Sequence, residues 1–90
     1  MKQAMLKISG RVQGVFFRAE TQEKALSLGL TGWVRNNDDA TVEVCAQGDE
    51  ASLARFIKWC EKGPTGARVD KIEKTWQEPT PSLTDFKIIY

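Results

Sequence analysis

The sequence contains no histidine. That absence removes Ser-His-Asp and Cys-His catalysis and histidine-ligated metal centres together, because each needs an imidazole as base or ligand. Cysteine is nearly as scarce: Cys45 and Cys60 stand alone, without the C-x-x-C spacing of zinc or redox sites. No window approaches the roughly 18 apolar residues of a membrane span, and MKQAMLKISG at the N-terminus lacks the apolar core of a secretion signal. Neither charge sign prevails, since 13 Lys and Arg against 12 Asp and Glu leave a net charge of +1. These charges are scattered, so there is no broad basic footprint for nucleic acid, whereas a small anion needs only a local site. The expectations are no metal, no cofactor, no membrane or nucleic-acid partner, and a cytoplasmic location.

What remains is ordinary for a folded protein. The chain has 90 residues, 41% of them apolar and 28% charged, which suits one domain over residues 1–90 and a monomer by default. Residues 5–12, MLKISGRV, alternate with Leu6, Ile8 and Val12 on one face, as in a half-buried strand. Residues 17–28 are rich in helix formers, with Phe17, Thr21, Ala25 and Leu28 on one stripe and Gly29 as the stop. Leu30 to Asn36 predicts a second strand and residues 41–47 a third, joined by the turn residues NNDDA.

Asp49 is a candidate N-cap for a second helix whose Leu53, Phe56, Ile57 and Cys60 recur at helical spacing, with Gly63-Pro64 ending it. A fourth strand is expected over Ala67 to Trp76, and a short one over Phe86 to Tyr90. Cys60 falls on the helix stripe and Cys45 on the strand face opposite Val42, Val44 and Ala46, so the two thiols are expected to stay unpaired and structural. The three tryptophans read as packing residues.

The order βαββαβ plus a final strand makes an α+β, ferredoxin-like sandwich, with two helices on one face of an antiparallel-type sheet. An RNA-binding module of the same order would carry an aromatic signature on its third strand, and TVEVCAQG has none. Function therefore has to come from a site.

The stretch GRVQGVFFR, Gly10 to Arg18, is the candidate. The chain leaves a strand and starts a helix within a few residues, and Gly14 permits unusual dihedrals. Successive N–H groups in such a turn, with the helix N-terminus behind them, form a concave anion site. Arg18 sits against the positive end of the helix dipole. Two readings stand on the residues alone: a solvated helix residue balanced by Glu20 or Glu23, or a guanidinium fork held for a phosphate. Gly10 and Gly14 are four apart with no Lys-Ser/Thr following, so this is not a Walker A loop.

GRVQGVFFR followed by GLTGWVRN, Gly29 to Asn36, resembles the acylphosphatase family, whose signature is G-x-V-Q-G-V-x-F-R and then G-x-V-x-N. The likeness in element order extends from about residue 5 to Tyr90 and includes DFKI, Asp85 to Ile88. The resemblance implies a metal-independent hydrolase of a small-molecule acyl phosphate, with inorganic phosphate as product and inhibitor. It implies that Arg18 binds the phosphate with the backbone amides of Gln13, Gly14, Val15, Phe16, Phe17 and Arg18. By the same resemblance Asn36, otherwise a plain turn former, orients the attacking water. One departure is Asp39-Ala40 in the hairpin, where relatives often carry Asp-Gly. A catalytically silent regulatory protein of the same family is the other reading.

Overall fold

A computed structural model describes residues 1–14 and 16–89. Strand β1 (Lys2–Arg11) leads into helix α1 (Phe17–Ser27), then β2 (Thr31–Asn36), β3 (Val42–Gly48), helix α2 (Glu50–Lys62), β4 (Arg68–Gln77) and β5 (Phe86–Ile89). The strands lie in the order β4-β1-β3-β2-β5. β1 and β2 both pair antiparallel with β3, so they run parallel to each other on either side of it. Each helix therefore crosses over one intervening strand, which is the split βαβ arrangement. The expected sandwich is present with one refinement: β5 joins β2 in parallel, so the sheet is mixed.

Alternation decides which face is buried. Leu6, Ile8, Val34, Val42, Val44 and Ala46 meet Phe17, Ala25, Leu53, Phe56 and Cys60 from the helices in one apolar cluster. Phe56 and Phe86 meet edge to face at 6.2 Å, which fastens α2 to the last strand. Helix α2 starts as expected: the Asp49 carboxylate accepts the Ser52 N–H at 2.9 Å, and that bond holds the Asp49 carboxyl below its ordinary range. Among the described residues no helix is long and apolar enough to cross a membrane.

The thiols behave as expected. Both are free and buried, Cys60 inside the helix-side core and Cys45 outside it, and burial pushes both above the ordinary thiol range.

The tryptophans do not all match their expectation. Trp59 packs on the core, its ring 6.2 Å from that of Phe17. Trp33 alternates away from core-facing Val34 onto the helix-free face, with the Arg35 guanidinium 5.0 Å from its ring centre. Trp76 lies on the outermost strand and is 48% exposed, between the Lys2 and Lys74 ammonium groups. Strand position and strand face, which composition does not reveal, decide their burial.

The connection from β4 to β5 must pass between opposite edges of the sheet, and with the helices on one face it crosses the other. Buried Gln47 receives it: its side chain accepts the Thr80 N–H at 2.6 Å and donates to the Thr80 carbonyl at 3.1 Å. Gln3 donates both to Gln47 at 3.0 Å and to the Thr80 hydroxyl at 3.0 Å. This strap covers Gln47 on the outer face of β3, where simple alternation predicts exposure.

Near the end of β1 the pairing with β4 slips between Ser9 and Gly10, a bulge that turns the chain toward the following loop. Gly10 sits there at φ 130°, and a Cβ on it would run into the Arg68 carbonyl of β4. The first glycine of the motif thus serves strand contact. Gly10→Ala is expected to lower stability by about 2–4 kcal/mol, from a forced backbone conformation plus overpacking. Denaturant unfolding of the variant beside the wild type measures it.

Candidate functional site

Strand β3 places the two halves of the motif side by side. Val42 pairs with Ile8 on one side and with Asn36 on the other, so β1 and β2 approach the same end of the sheet two strand spacings apart, about 10 Å. Val34 points into the core, and by alternation Asn36 projects from the same face, toward the start of α1.

A cleft of about 290 Å³ lies there, lined by Val12, Gly14, Phe16, Phe17, Arg18 and Asn36 of the two motifs and by Ala19 and Ile88. Of the sequence-predicted residues, Gln13 is not part of the lining and Val15 lies outside the described residues. Arg18 is half-buried and is the one charged side chain among the described lining residues. No carboxylate lines this cleft among them.

The local backbone accounts for the shape. Gly14 adopts φ 74°, a left-handed conformation that glycine takes without steric penalty, with open space where a side chain would project. Phe16 follows at φ 60° as the N-cap residue of α1, and no side chain among the described residues caps that helix. The first-turn N–H groups therefore lack the cap that Asp49 provides at the start of α2, with Glu20 the acidic residue of that turn. Phe17 anchors the turn, with its ring buried in the core.

Asn36 contributes a different feature. Its side-chain oxygen is buried and accepts no hydrogen bond from the described residues. Buried polar atoms are nearly always paired, by protein or by an ordered water, so an amide oxygen of this kind at a cleft suits a small hydrogen-bonding guest. An amide also both donates and accepts without changing charge.

A tie that the motif pattern did not reveal is the Gln13 side chain. Its amide nitrogen donates to the carbonyls of Asn37 and Thr41, both at 2.9 Å. The loop before α1 is thereby bound to the hairpin that follows Asn36. A glutamine in a loop gives no sequence signal for such a partner, because both acceptors are main-chain atoms more than twenty positions away. Val12, Ala19 and Ile88 were also not anticipated as lining residues, since Val12 and Ile88 read as strand positions and Ala19 lies off the apolar stripe of its helix.

The hairpin keeps its turn despite the Asp39-Ala40 departure. Ala40 takes φ 71°, the conformation a glycine would favour, and Asn37 N–H donates to the Thr41 carbonyl at 2.9 Å. Asp39 accepts from the Thr41 hydroxyl at 2.6 Å and its N–H at 3.1 Å, and pairs with Lys7 at 3.1 Å. The Thr41 hydroxyl, then its N–H, then Lys7 lower the Asp39 carboxyl to about 2.

Met5, Lys7, Glu43 and Cys45 occupy outward positions of central strands β1 and β3 opposite the core set, without an aromatic ring among them.

The family profile described as Acylphosphatase matches residues 4–88. An acylphosphatase of Pelotomaculum thermopropionicum is 44% identical over 87 residues, 97% of this chain and 95% of the relative. The crystal structure of acylphosphatase from Bacillus subtilis superposes with a TM-score of 0.96 at 37% identity, covering 100% of both chains. Full-length HypF, in its phosphate- and nucleotide-bound form, matches with a TM-score of 0.90 at 29% identity; 99% of this chain is covered but only 12% of HypF.

Two expectations follow. Gln13→Met keeps the side-chain length but loses both donated bonds, and should cost about 1–2 kcal/mol in thermal or denaturant unfolding. Asp39, depressed when folded, stabilises the native state above its unfolded value near 3.9, and that contribution is lost as pH falls through about 2. The melting-temperature gap between wild type and Asp39→Asn should therefore close between about pH 5 and about pH 2.

Proposed function

The chain belongs to the acylphosphatase family, and from that premise we propose that it hydrolyses acyl phosphates with Arg18 and Asn36 as its working residues. The single observation that carries the reading is the shared cleft: a half-buried arginine, an uncapped helix start and the unpartnered Asn36 oxygen line one space. The Arg18 guanidinium and the backbone amides from Gln13 to Arg18 hold the phosphoryl oxygens. Asn36 accepts a hydrogen bond from a water and sets it in line with phosphorus.

In the reaction the water oxygen bonds to phosphorus while the bond from phosphorus to the acyl oxygen breaks. The acyl carboxylate leaves with that electron pair. The anhydride already has a good leaving group, so neither a metal nor a strong general acid is required; positioning and charge stabilisation carry the rate. No carboxylate lines the cleft among the described residues, and the proton lost by water passes to a phosphate oxygen of the substrate. The products are a carboxylate and dihydrogen phosphate.

The same reading takes residues 1–90 as one acylphosphatase-like domain, working as a cytoplasmic monomer without a cofactor. Two free buried thiols suit a reducing compartment.

The test is hydrolysis of benzoyl phosphate with chelator present. Turnover well above the spontaneous rate, inhibited competitively by inorganic phosphate, is expected, and its absence would refute the proposal. Arg18→Ala should lose roughly two to three orders of magnitude in kcat/KM, because the same fork serves ground state and transition state. Asn36→Ala should lower kcat about a hundredfold with little change in KM; a folded variant with full activity would remove the water-positioning role.

A further inference from the structure

The two adjacent phenylalanines at the start of α1 have opposite fates. Phe17 is 1% exposed and holds the turn to the core, whereas Phe16 is 82% exposed, the highest value among the large apolar side chains of the described residues. Folding gains almost nothing from the Phe16 ring. Its backbone is also in the left-handed region, at φ 60° and ψ 20°, a conformation that disfavours every residue with a side chain except, mildly, Asn and Asp. Glycine would suit this position better on both counts, and Gly14 two residues earlier shows that the same loop uses one. An exposed aromatic ring on a disfavoured backbone has no account in the fold itself.

It does have one in the cleft. Phe16 lines the same space as Arg18 and Asn36, and the high exposure of its ring puts it at the mouth. An acyl phosphate is bipartite, with a charged phosphoryl head and an apolar tail joined by the anhydride oxygen. With the head held by Arg18 and the helix start, the tail has to leave the cleft past its rim. The rim is aromatic at Phe16, and Val12 and Ile88 make other parts of the lining apolar. Aromatic rings prefer offset or edge contacts with another ring, beyond the area they bury.

We propose that Phe16 is the acyl-recognition residue of the cleft, its ring forming the wall against which an aromatic or bulky apolar acyl group packs. The substrate class is thereby narrowed to acyl phosphates with such tails, in preference to acetyl-sized ones. The proposal rests on the reading of the cleft as an acyl phosphate site. It assigns to the Phe16 side chain a task separate from the phosphate contact of its backbone N–H.

Paired probes with one head and two tails test it: benzylphosphonate and methylphosphonate in calorimetric binding, then benzoyl phosphate and acetyl phosphate in turnover. The wild type should favour the aryl member of each pair by about tenfold. Phe16→Gly relieves the backbone and so should fold well, and it should bring the binding ratio close to one and reduce the turnover ratio to the difference set by the two leaving groups. Phe16→Tyr should keep them. The ratio is the readout, because a general disturbance of the phosphate cradle moves both members of a pair alike.

No aryl preference in the wild type, or a binding preference that survives in Phe16→Gly, overturns the proposal. Turnover of both substrates with unchanged ratios leaves the hydrolase reading intact and removes the acyl wall. A Phe16-dependent binding preference without turnover does the reverse, supporting the wall and refuting the hydrolysis.

Discussion

β3 lies between β1 and β2, and everything at the candidate site depends on that pairing. It makes β1 and β2 parallel neighbours once removed, so both approach the same end of the sheet, where the chain must turn into α1 and into the hairpin. Residues separated in sequence by the whole of α1 are brought to one cleft by strand register. The Gln13 side chain then ties the loop to hairpin carbonyls, so that the two turns hold each other as well as being held by the sheet.

The two helices show what the site costs. α2 is built for stability: an aspartate caps it, its apolar stripe is clean, and it ends at Gly63. α1 has no side-chain cap, a phenylalanine in left-handed conformation before it, and an arginine in its first turn. Each of these works against an isolated helix. Phe17, Thr21 and Ala25, buried below it, hold it in place regardless. Several local rules broken together at one point are what a functional site is expected to look like.

Much of this could be read from the residues. Alternation located the central strands within a few positions, and the stripe Leu53, Phe56, Ile57, Cys60 and its Asp49 cap are as expected. The pairing of Arg18 with Asn36 came from the resemblance to the acylphosphatase family, since the residues alone left Arg18 with two readings and Asn36 as a plain turn former. Whatever depended on where a strand lies in the sheet stayed hidden: Trp76 on the edge, Trp33 on the helix-free face, and the parallel docking of β5. Side chains that bond distant main-chain atoms, such as Gln13 and Gln47, were equally hidden, because a backbone carbonyl carries no letter in the sequence.

The strap between β4 and β5 bears on how the molecule assembles. Its anchor joins Gln3 to Thr80 across 77 positions of chain, and its acceptor Gln47 belongs to a strand that must already be paired. Loop closure over such a span is entropically unfavourable until the sheet beneath exists, and chains dominated by distant contacts fold slowly. Because Ile88 of β5 lines the cleft, the docking of that strand against β2 supplies one wall of the site, so the pairing that covers the sheet edge also completes the active shape.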